Sequence, residues 1–419
     1  MRLNKRPFLM LTLASILGAA AMQAGQDAEP ERMRRLTENR QLTLRDILDA
    51  TFESNPQRHL LRALDGEVRA HELHAGGLLP DIPALSLHHQ SDAIGNRRGE
   101  YELEAELELP VWLPGQRAAR KALARAIDGN LDAGRDALML YLAGELRESI
   151  WEIRMLTDEL ELAEFRLQTA EHLQNDVTRR FQAGELAQTD VMLAQNETLS
   201  AQTQVVRAAA VLQHAEQAYT VLTGLSEVPA RPEESSAENL TVATDHPLLR
   251  EADSRLAIAR GERVLAGVER RGNPQILISA RNVRGPFDDL NNNSFGLTFR
   301  IPLSTRSGTA LSLAAAESGI ARGVAELEQV RRVVATALNE AGVNLETTRR
   351  ELEILRRQNA IARENRRLMQ KAFDLGEADL VDLMRVQAIS YEAERALRSK
   401  TIQLQWNIAR HNQAAGVLP

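Results

Sequence analysis

The chain has no cysteine among its 419 residues, and only 4% of its residues are aromatic. Without cysteine it can form no disulfide, no thiolate metal site and no lipid-modified cysteine anchor. Few aromatic residues together with 26% charged residues are unfavourable for several compact cores and typical of long helices with solvated faces. The formal net charge of −7 excludes a general grip on nucleic acid, so no nucleic-acid partner is expected.

The chain also lacks any apolar run of the ~20 residues that a membrane-spanning helix needs. The nearest approach is at the start, where Arg2, Lys5 and Arg6 precede the mainly apolar stretch 8–17 and a run of small residues. This order of basic, apolar and small residues is typical of a secretory signal peptide, which we assign to residues 1–24. Cleavage there would deliver an acidic, cysteine-free chain to the periplasm or the outer membrane.

One stretch of the sequence occurs twice. Residues 180–195 read RFQAGELAQTDVMLAQ and residues 372–387 read AFDLGEADLVDLMRVQ, with Phe, Gly, Glu, Asp, Met and Gln at matching positions. Such self-similarity, kept at nearly the same offset by prolines and glycines elsewhere, predicts one body made of two halves. We place the first repeat at 42–224, a linker at 225–245 and the second repeat at 246–418.

Each repeat is expected to begin with a helix and to continue with a β-hairpin. The predicted strands are 82–90 and 101–109 in the first repeat, and 275–283 and 295–303 in the second. In the second of these strands, apolar residues alternate with the acidic residues Glu102, Glu104, Glu106 and Glu108. A period of two with one wholly apolar face indicates that the faces meet different solvents. A half-buried strand of a soluble domain is the alternative, because transmembrane strand signals are weak.

Two long helical arms follow the hairpins. The arm from Pro110 to Gly184 would span about 110 Å if it were one helix at 1.5 Å per residue, although its glycines favour a break near 129–134. Apolar residues recur at steps of three and four from Leu142 to Phe181, which predicts a coiled-coil seam. In each repeat the glycine of a Phe-x-x-Gly-Glu motif predicts the turn into a returning helix. The predicted hairpin tips are Phe181, Gly184 and Glu185 in the first repeat, and Phe373, Gly376 and Glu377 in the second.

This order of elements, duplicated behind a signal peptide, resembles the TolC family of outer-membrane channel tunnels. The resemblance covers roughly residues 42–418 and is sharpest at Phe181-x-x-Gly184-x-x-x-x-Thr189-Asp190-Val191 and at Phe373-x-x-Gly376-x-x-x-x-Val381-Asp382-Leu383. It implies a mainly helical fold with some β-structure, built of two tandem repeats. It further implies a homotrimer, with a twelve-stranded β-barrel surrounded by outer-membrane lipid and an α-helical barrel that extends into the periplasm.

The same resemblance implies a function and partners. Family members serve as passive exit ducts of tripartite efflux systems, and dock through their helical tips to a periplasmic adaptor and so to an inner-membrane pump, here expected to be of the RND type. Acidic residues of the second tip ring the periplasmic entrance, where Asp382 matches, and Thr189 with Asp190 match a pair that holds the closed state. Arg385 stands where the family has a further acid, and Ala378 stands where it has a latch arginine, so the closing network of this chain differs. A helix-terminal acid is the alternative role for Asp382.

The expected substrate is a heavy-metal cation, as in the cobalt-zinc-cadmium branch that the chain most resembles. Compact hairpins, the missing lipoprotein cysteine and the motif LPVWLPG at 109–115 point to that branch. If the glutamate face lines the lumen, three subunits would surround it with carboxylates and favour cations. Drug efflux or type I secretion is the alternative within the family. A periplasmic adaptor or a structural coiled-coil protein is the alternative outside it.

An enzyme is not expected, because the sequence holds no nucleophile–base constellation and no phosphate-binding loop, and no cofactor is expected either. The chain has nine histidines, of which His71 with His74 and the neighbours His88 and His89 could suggest a metal site. Neither pair has the further ligands that a closed site needs nearby, and consecutive strand residues point to opposite faces. No resident metal site is therefore expected.

Overall fold

The computed structural model describes residues 35–236, 245–288, 290–303 and 306–419. The signal peptide assigned to 1–24 lies outside these residues, as does part of the expected linker. In chain order the elements are β1 (Thr37–Asn39), α1 (Leu44–Ser54), α2 (Gln57–Gly76), β2 (Ala84–Ser91), β3 (Tyr101–Pro110), α3 (Gln116–Gln182), α4 (Gln188–Thr223), β4 (Glu227–Pro229), α5 (Pro247–Val268), β5 (Gln275–Arg284), β6 (Asn292–Arg300), α6 (Arg306–Asp374) and α7 (Leu380–Ala414). Helix, two strands, long helix and returning helix thus follow each other twice, which confirms the predicted fold.

The long helices pack side by side. Helix α3 contacts α4 on one side and α7 on the other, and α7 in turn contacts α6. The described helices therefore form a layer in which α4 and α6 lie at opposite edges. Away from the turns that join α3 to α4 and α6 to α7, α1 packs on α3 and α4. Ile47, Leu48, Leu146 and Tyr219 are among the buried core residues there.

The expected break in α3 near 129–134 is wrong, because α3 runs without interruption from Gln116 to Gln182. Neighbouring side chains hold this stretch against α5. The Ser254 hydroxyl donates to the Asn130 side-chain oxygen at 2.9 Å, and Arg250 pairs with Asp136 at 2.8 Å. A glycine within a helix costs only about 1 kcal/mol relative to alanine, so packing along α5 outweighs the weak local preference.

Strands β2, β3, β5 and β6 form one four-stranded antiparallel sheet in that order. The two hairpins are joined through β3 and β5, where Ala105 lies opposite Ala280. The last strand lies earlier than the expected 295–303, because Asn292 and Asn293 pair with β5 and the ladder ends before Pro302. Proline cannot donate a ladder hydrogen bond, which explains that end.

A second, two-stranded sheet was not predicted. Strand β1 pairs in parallel with β4, with Glu38 opposite Val228. Strand β4 lies inside the stretch 225–245 that was expected to be the linker between the repeats. Short strands of this kind carry little sequence signal, because three residues cannot show a period.

In the part of the chain that the structure describes, no helix is at once long enough and apolar enough to cross a membrane.

Candidate functional site: the helical tips and the two-faced sheet

The two helical tips share one turn geometry. Gly184 and Gly376 have φ angles of +83° and +77°, in the left-handed region that favours glycine. In both turns a bond closes back across the end of the long helix: the Glu185 N–H donates to the Arg180 carbonyl, and the Glu377 N–H to the Ala372 carbonyl, each at 2.9 Å. This pattern satisfies carbonyls that a helix end leaves free.

The phenylalanines of the two tips have different surroundings. Phe373 is only 2% exposed, whereas Phe181 is 40% exposed. Phe373 belongs to a buried cluster with Leu173, Val177, Ala194, Leu380 and Leu383. The coiled-coil seam predicted along α3 therefore ends at Val177, before Phe181.

Arg180 of the first tip covers Phe373 of the second. Its guanidinium carbon lies 4.7 Å from the centre of the Phe373 ring, and its Nη1 donates to the Phe373 carbonyl at 3.0 Å. Asp176 pairs with the Arg180 Nε at 3.2 Å and fixes the side chain over the ring. One arginine thus fastens the second tip to the first, while Ala372 stands at the matching position of the second repeat.

Asp190 and Asp382 occupy matching positions in the two tips but make different contacts. Asp190 reaches back and accepts from the Ala187 N–H at 3.0 Å, so that it caps the start of α4. In the second tip Asp379 takes the capping role and accepts from the Asp382 N–H at 2.7 Å. The Asp382 carboxylate is therefore not used for capping.

Asp382 instead faces a basic residue one helical turn further on. Arg385 Nη1 lies 3.3 Å from the Asp382 carboxylate, and both side chains are substantially exposed. Thr189 is exposed at the start of α4. The second tip thus presents a carboxylate and a guanidinium together, where the family resemblance implied acids alone.

The four-stranded sheet has two chemically different faces. Residues directly opposite each other on antiparallel strands share a face. The face of Glu102, Glu104, Glu106 and Glu108 is mainly polar and also carries Ser86, His88, Gln90, Ser279, Arg281, Ser294, Thr298 and Arg300. The other face exposes large apolar side chains: Leu85, Leu87, Leu103, Leu107, Ile278, Phe295, Leu297 and Phe299.

Arginines on β5 and β6 neutralise part of the glutamate row. Arg281 donates to Glu102 at 2.7 Å, and Arg300 lies 3.7 Å from Glu108. Glu104 and Glu106, in the middle of β3, form no ion pair among the described residues. The alternation within β3 does not predict these arginines, because only the pairing of β3 with β5 and of β5 with β6 brings them to the glutamate row.

The histidines considered for metal binding have other partners. The Arg120 guanidinium lies 2.9 Å from Nδ1 of His74, and the other ring nitrogen contacts the Pro80 carbonyl at 3.0 Å. The adjacent His88 and His89 point to opposite faces of the sheet, His88 opposite Glu104. Within the described ranges, no group of three or more potential ligands is arranged to hold a metal ion.

Two helical hairpins in one layer, joined to a sheet with a polar and an apolar face, define the class of channel tunnels. The chain belongs to the outer membrane efflux protein family, because the sequence model of that family matches residues 76–225 and 242–416. That family comprises channels and not enzymes. No curated protein sequence matches the chain significantly.

Solved structures of outer-membrane channels share the fold. A structure of CusC, described in terms of folding and transmembrane channel formation, has a TM-score of 0.71 at 14% identity and covers 91% of this chain and 93% of its own. The outer membrane protein VceC of Vibrio cholerae has a TM-score of 0.72 at 14% identity, over 89% of this chain and 96% of its own. The open-state MtrE outer membrane channel of Neisseria gonorrhoeae has a TM-score of 0.63 at 18% identity, over 92% and 91%.

Proposed function

We propose that this protein is the outer-membrane exit duct of a tripartite efflux system, and that it passes heavy-metal cations. The observation that carries the proposal is the sheet with one exposed apolar face and one polar face, joined to helical hairpins. A helix of 67 residues such as α3 is about 100 Å long, enough to extend from a membrane far into the periplasm.

The exposed sheet edges support assembly with further copies of the chain. Strands β2 and β6 are the outer strands of the four-stranded sheet. Unpaired edges are a liability that closure into a barrel removes. Three copies, each joining its β6 to the β2 of the next, would form a twelve-stranded barrel with the apolar face toward lipid and the polar face toward the lumen.

The edge helices carry a matching pair of apolar stripes. On α4, the exposed residues Met192, Leu199 and Val206 recur every seven residues, and on α6 and its turn Ile354, Ile361, Leu368 and Leu375 do the same. A repeat of seven is the spacing of a coiled-coil seam. Because α4 leads away from its tip and α6 leads toward its own, the two stripes would meet antiparallel between neighbouring subunits. This head-to-tail contact closes into a ring.

The tips are proposed to be the docking end of the duct. Phe181, Gly184 and Glu185, with Gly376 and Glu377, are exposed there and would face a periplasmic adaptor, which connects the duct to an inner-membrane pump of the RND type. In the trimer the Asp382 side chains would ring the periplasmic entrance, each beside its Arg385. Thr189 and Asp190 would stabilise the closed state next to this ring, Asp190 through its cap of α4.

The proposed cation preference rests on the middle of β3. Glu102 and Glu108 each form an ion pair with an arginine, whereas Glu104 and Glu106 form none among the described residues, so three subunits would present these two as the unpaired carboxylates of the lumen. Fixed negative charge along a pore wall raises the local concentration of cations and opposes anions. Heavy-metal cations are a cargo that such a wall favours.

Single-channel recording in planar bilayers under a salt gradient tests this function. We expect a pore whose reversal potential indicates cation selectivity and whose conductance falls when divalent cations are added on the periplasmic side. The double variant Glu104→Gln/Glu106→Gln should lose most of the selectivity. The matched control Glu108→Gln/Arg300→Gln removes one charge of each sign and leaves Arg281 opposite Glu104 in place, so it should keep the selectivity.

The outcomes separate the parts of the proposal. An intact trimer that forms a pore with no selectivity would retain the duct and favour drug efflux or type I secretion. Equal loss of selectivity in the two double variants would contradict the role of Glu104 and Glu106. Failure to form either a trimer or a pore would overturn the duct itself and favour a periplasmic adaptor or structural role.

A further inference from the structure

The last turn of α7, at the end of that helix away from its tip, is hydrogen-bonded to several other segments of the chain. Asn412 donates to the Glu234 carboxylate at 3.1 Å and to the Ser235 carbonyl at 3.0 Å. Gln413 donates to the Leu140 carbonyl of α3 at 2.7 Å. Its side-chain oxygen accepts from Arg147 at 2.6 Å. These bonds join the end of the second repeat to the first repeat.

Arg147 is the charged centre of this fastening. It is only 2% exposed, and its Nε and Nη2 donate to the two Glu234 carboxylate oxygens at 2.8 and 2.6 Å. A buried charge is tolerated only where it is paired and hydrogen-bonded, which this bidentate contact provides. The end of α7 is therefore held by polar contacts that include a buried ion pair.

His246 connects the same turn to the start of α5. The imidazole is 3% exposed. Its Nδ1 accepts from the Leu248 N–H at 3.2 Å and so caps the N-terminus of α5. The ring also lies against the turn that follows α7, where a Cβ added at Gly416 would be 3.1 Å from the His246 Cγ, and it interacts with the Ala414 carbonyl in the last turn of α7. Because Nδ1 is an acceptor, the ring proton that reaches Ala414 is on Nε2, and the imidazole is neutral in this arrangement.

The His246 ring lies close to the backbone of the turn that follows α7. Gly416 has a φ of +80°, and a Cβ at that position would lie 2.7 Å from the His246 Cδ2. A proton on Nδ1 would face the Leu248 N–H, so a donor would meet a donor. It would also put positive charge at a helix N-terminus, where the helix dipole disfavours it. Burial lowers the pKa of His246 below its ordinary value.

Several charged and titratable groups surround this turn. Beside His246, Arg250 pairs with Asp245 at 3.5 Å and with Asp136 of α3 at 2.8 Å. His411 lies one turn before Ala414, and Glu346 pairs with Arg350 at 2.9 Å beside it on α6. Burial, and then the positive charge of Arg349, lower the pKa of His411 as well. Its Nδ1 is buried and has no hydrogen-bond partner among the described residues.

We propose that His246 is an acid-sensitive fastener, which holds the end of α7 to the start of α5 when neutral and releases it when protonated. Helix α7 begins at the second tip, beside Asp382. Release of its C-terminal end would therefore increase the mobility of α7, the helix that carries Asp382 of the proposed entrance ring. The fastener itself does not depend on what the duct carries, whereas its effect on the entrance rests on the proposed function.

The sign of the pH dependence follows from the lowered pKa. A histidine in the unfolded or released state titrates near about 6.5, and the fastened state binds the proton less readily. The contribution of His246 is therefore fully present above that pH and is lost as the pH falls through the lower, fastened-state value. Each unit between the two pKa values corresponds to about a tenfold change in the fastening equilibrium.

Amide hydrogen exchange of the full-length trimer at a series of pH values tests this proposal, expressed as protection factors that correct for intrinsic exchange. We expect protection at the first turn of α5 and the last turn of α7 to fall several-fold between about pH 7.5 and about pH 5.5. His246→Asn keeps a side-chain acceptor for the cap without a titrating group, and should remove this pH dependence. His172→Asn changes an exposed histidine near the tip end of α3 and should leave the pH dependence as in the unchanged chain.

A pH dependence that survives in His246→Asn and is removed by His411→Asn would assign the effect to His411 and overturn the proposal. Survival in both variants would overturn it as well. If His246→Asn does not assemble, His246→Gln offers a longer side chain with the same uncharged acceptor. Bilayer conductance at the same pH values is a separate readout: unchanged conductance with the expected exchange result would leave the fastener in place and contradict its effect on the entrance.

Discussion

The two helical tips share a Phe-x-x-Gly-Glu motif and the same backbone turn, but their contacts differ. A side chain of the first tip stabilises the second tip, and no matching contact runs the other way. Arg180 extends from the first tip over the buried ring of Phe373, while Ala372 at the matching position has nothing to extend. Asp190 is used to cap its own helix, whereas Asp379 caps the second helix and leaves Asp382 beside Arg385. Two differences between the repeats account for this. Arg180 in place of Ala372 lets the first tip stabilise the second, and Asp379 in place of Ala187 caps α7 and leaves the Asp382 carboxylate exposed.

The largest expected difference between the tips is in stability. Phe373→Ala should destabilise the tip region by about 3–5 kcal/mol, the usual cost of removing a buried phenylalanine, because it empties a packed site. Phe181→Ala removes a ring that is largely in water and should cost clearly less. Thermal unfolding and amide exchange near the tips would measure both. Similar losses for the two variants would contradict the asymmetry.

A smaller and equal effect is expected at the turn glycines. Gly184→Val and Gly376→Val each force an L-residue into the left-handed region, at a cost of at least about 1–2 kcal/mol. No neighbouring atom lies within 4 Å of a Cβ added at either position, so the strain comes from the backbone alone. Crosslinking to a purified adaptor should weaken for both variants. Full crosslinking would show that these turns are not the docking surface.

Variants of the matching aspartates Asp190 and Asp382 should differ in their effects: one mainly lowers stability and the other mainly changes conductance. Asp190→Ala removes the bond that caps α4 and should cost about 1 kcal/mol, and its effect on single-channel conductance should be smaller than that of Asp382→Ala. Asp382→Ala should leave stability nearly unchanged, and should raise conductance or lessen block by divalent cations. Unfolding measurements and bilayer recordings on the two variants test this. An unchanged recording for Asp382→Ala would remove it from the entrance.

The smallest effect on stability is expected at Arg385. An exposed ion pair such as that of Arg385 and Asp382 contributes about 0–1 kcal/mol, so Arg385→Ala should unfold almost as the unchanged chain does. It would nevertheless leave the Asp382 carboxylates without a neighbouring positive charge and should strengthen block by divalent cations. The variant Arg385→Lys keeps the charge and is the control. Equal block in both variants would exclude Arg385 as a neutralising group.

The parts that could be predicted from sequence are those that depend on neighbours along the chain. The turns at Gly184 and Gly376 follow from a conformation that favours glycine, and the alternation in β3 follows from the period of a strand. The break expected near 129–134 in α3 failed because a local preference of about 1 kcal/mol is outweighed by contacts with α5. The arginines facing Glu102 and Glu108 were not predicted, because the sequence of one strand does not determine its register with a distant strand.

The sequence by itself determined the repeat, the order of helices and strands, the two-faced strand and the positions of the turns, since each depends on period, composition or a local backbone requirement. Only the tertiary structure decided that Phe373 is buried and Phe181 is not, that Glu102 and Glu108 acquire arginine partners from other strands, and that the turn after α7 lies against His246. These features depend on which side chains distant segments bring together, and identical local motifs acquire different surroundings when the two halves pack against each other.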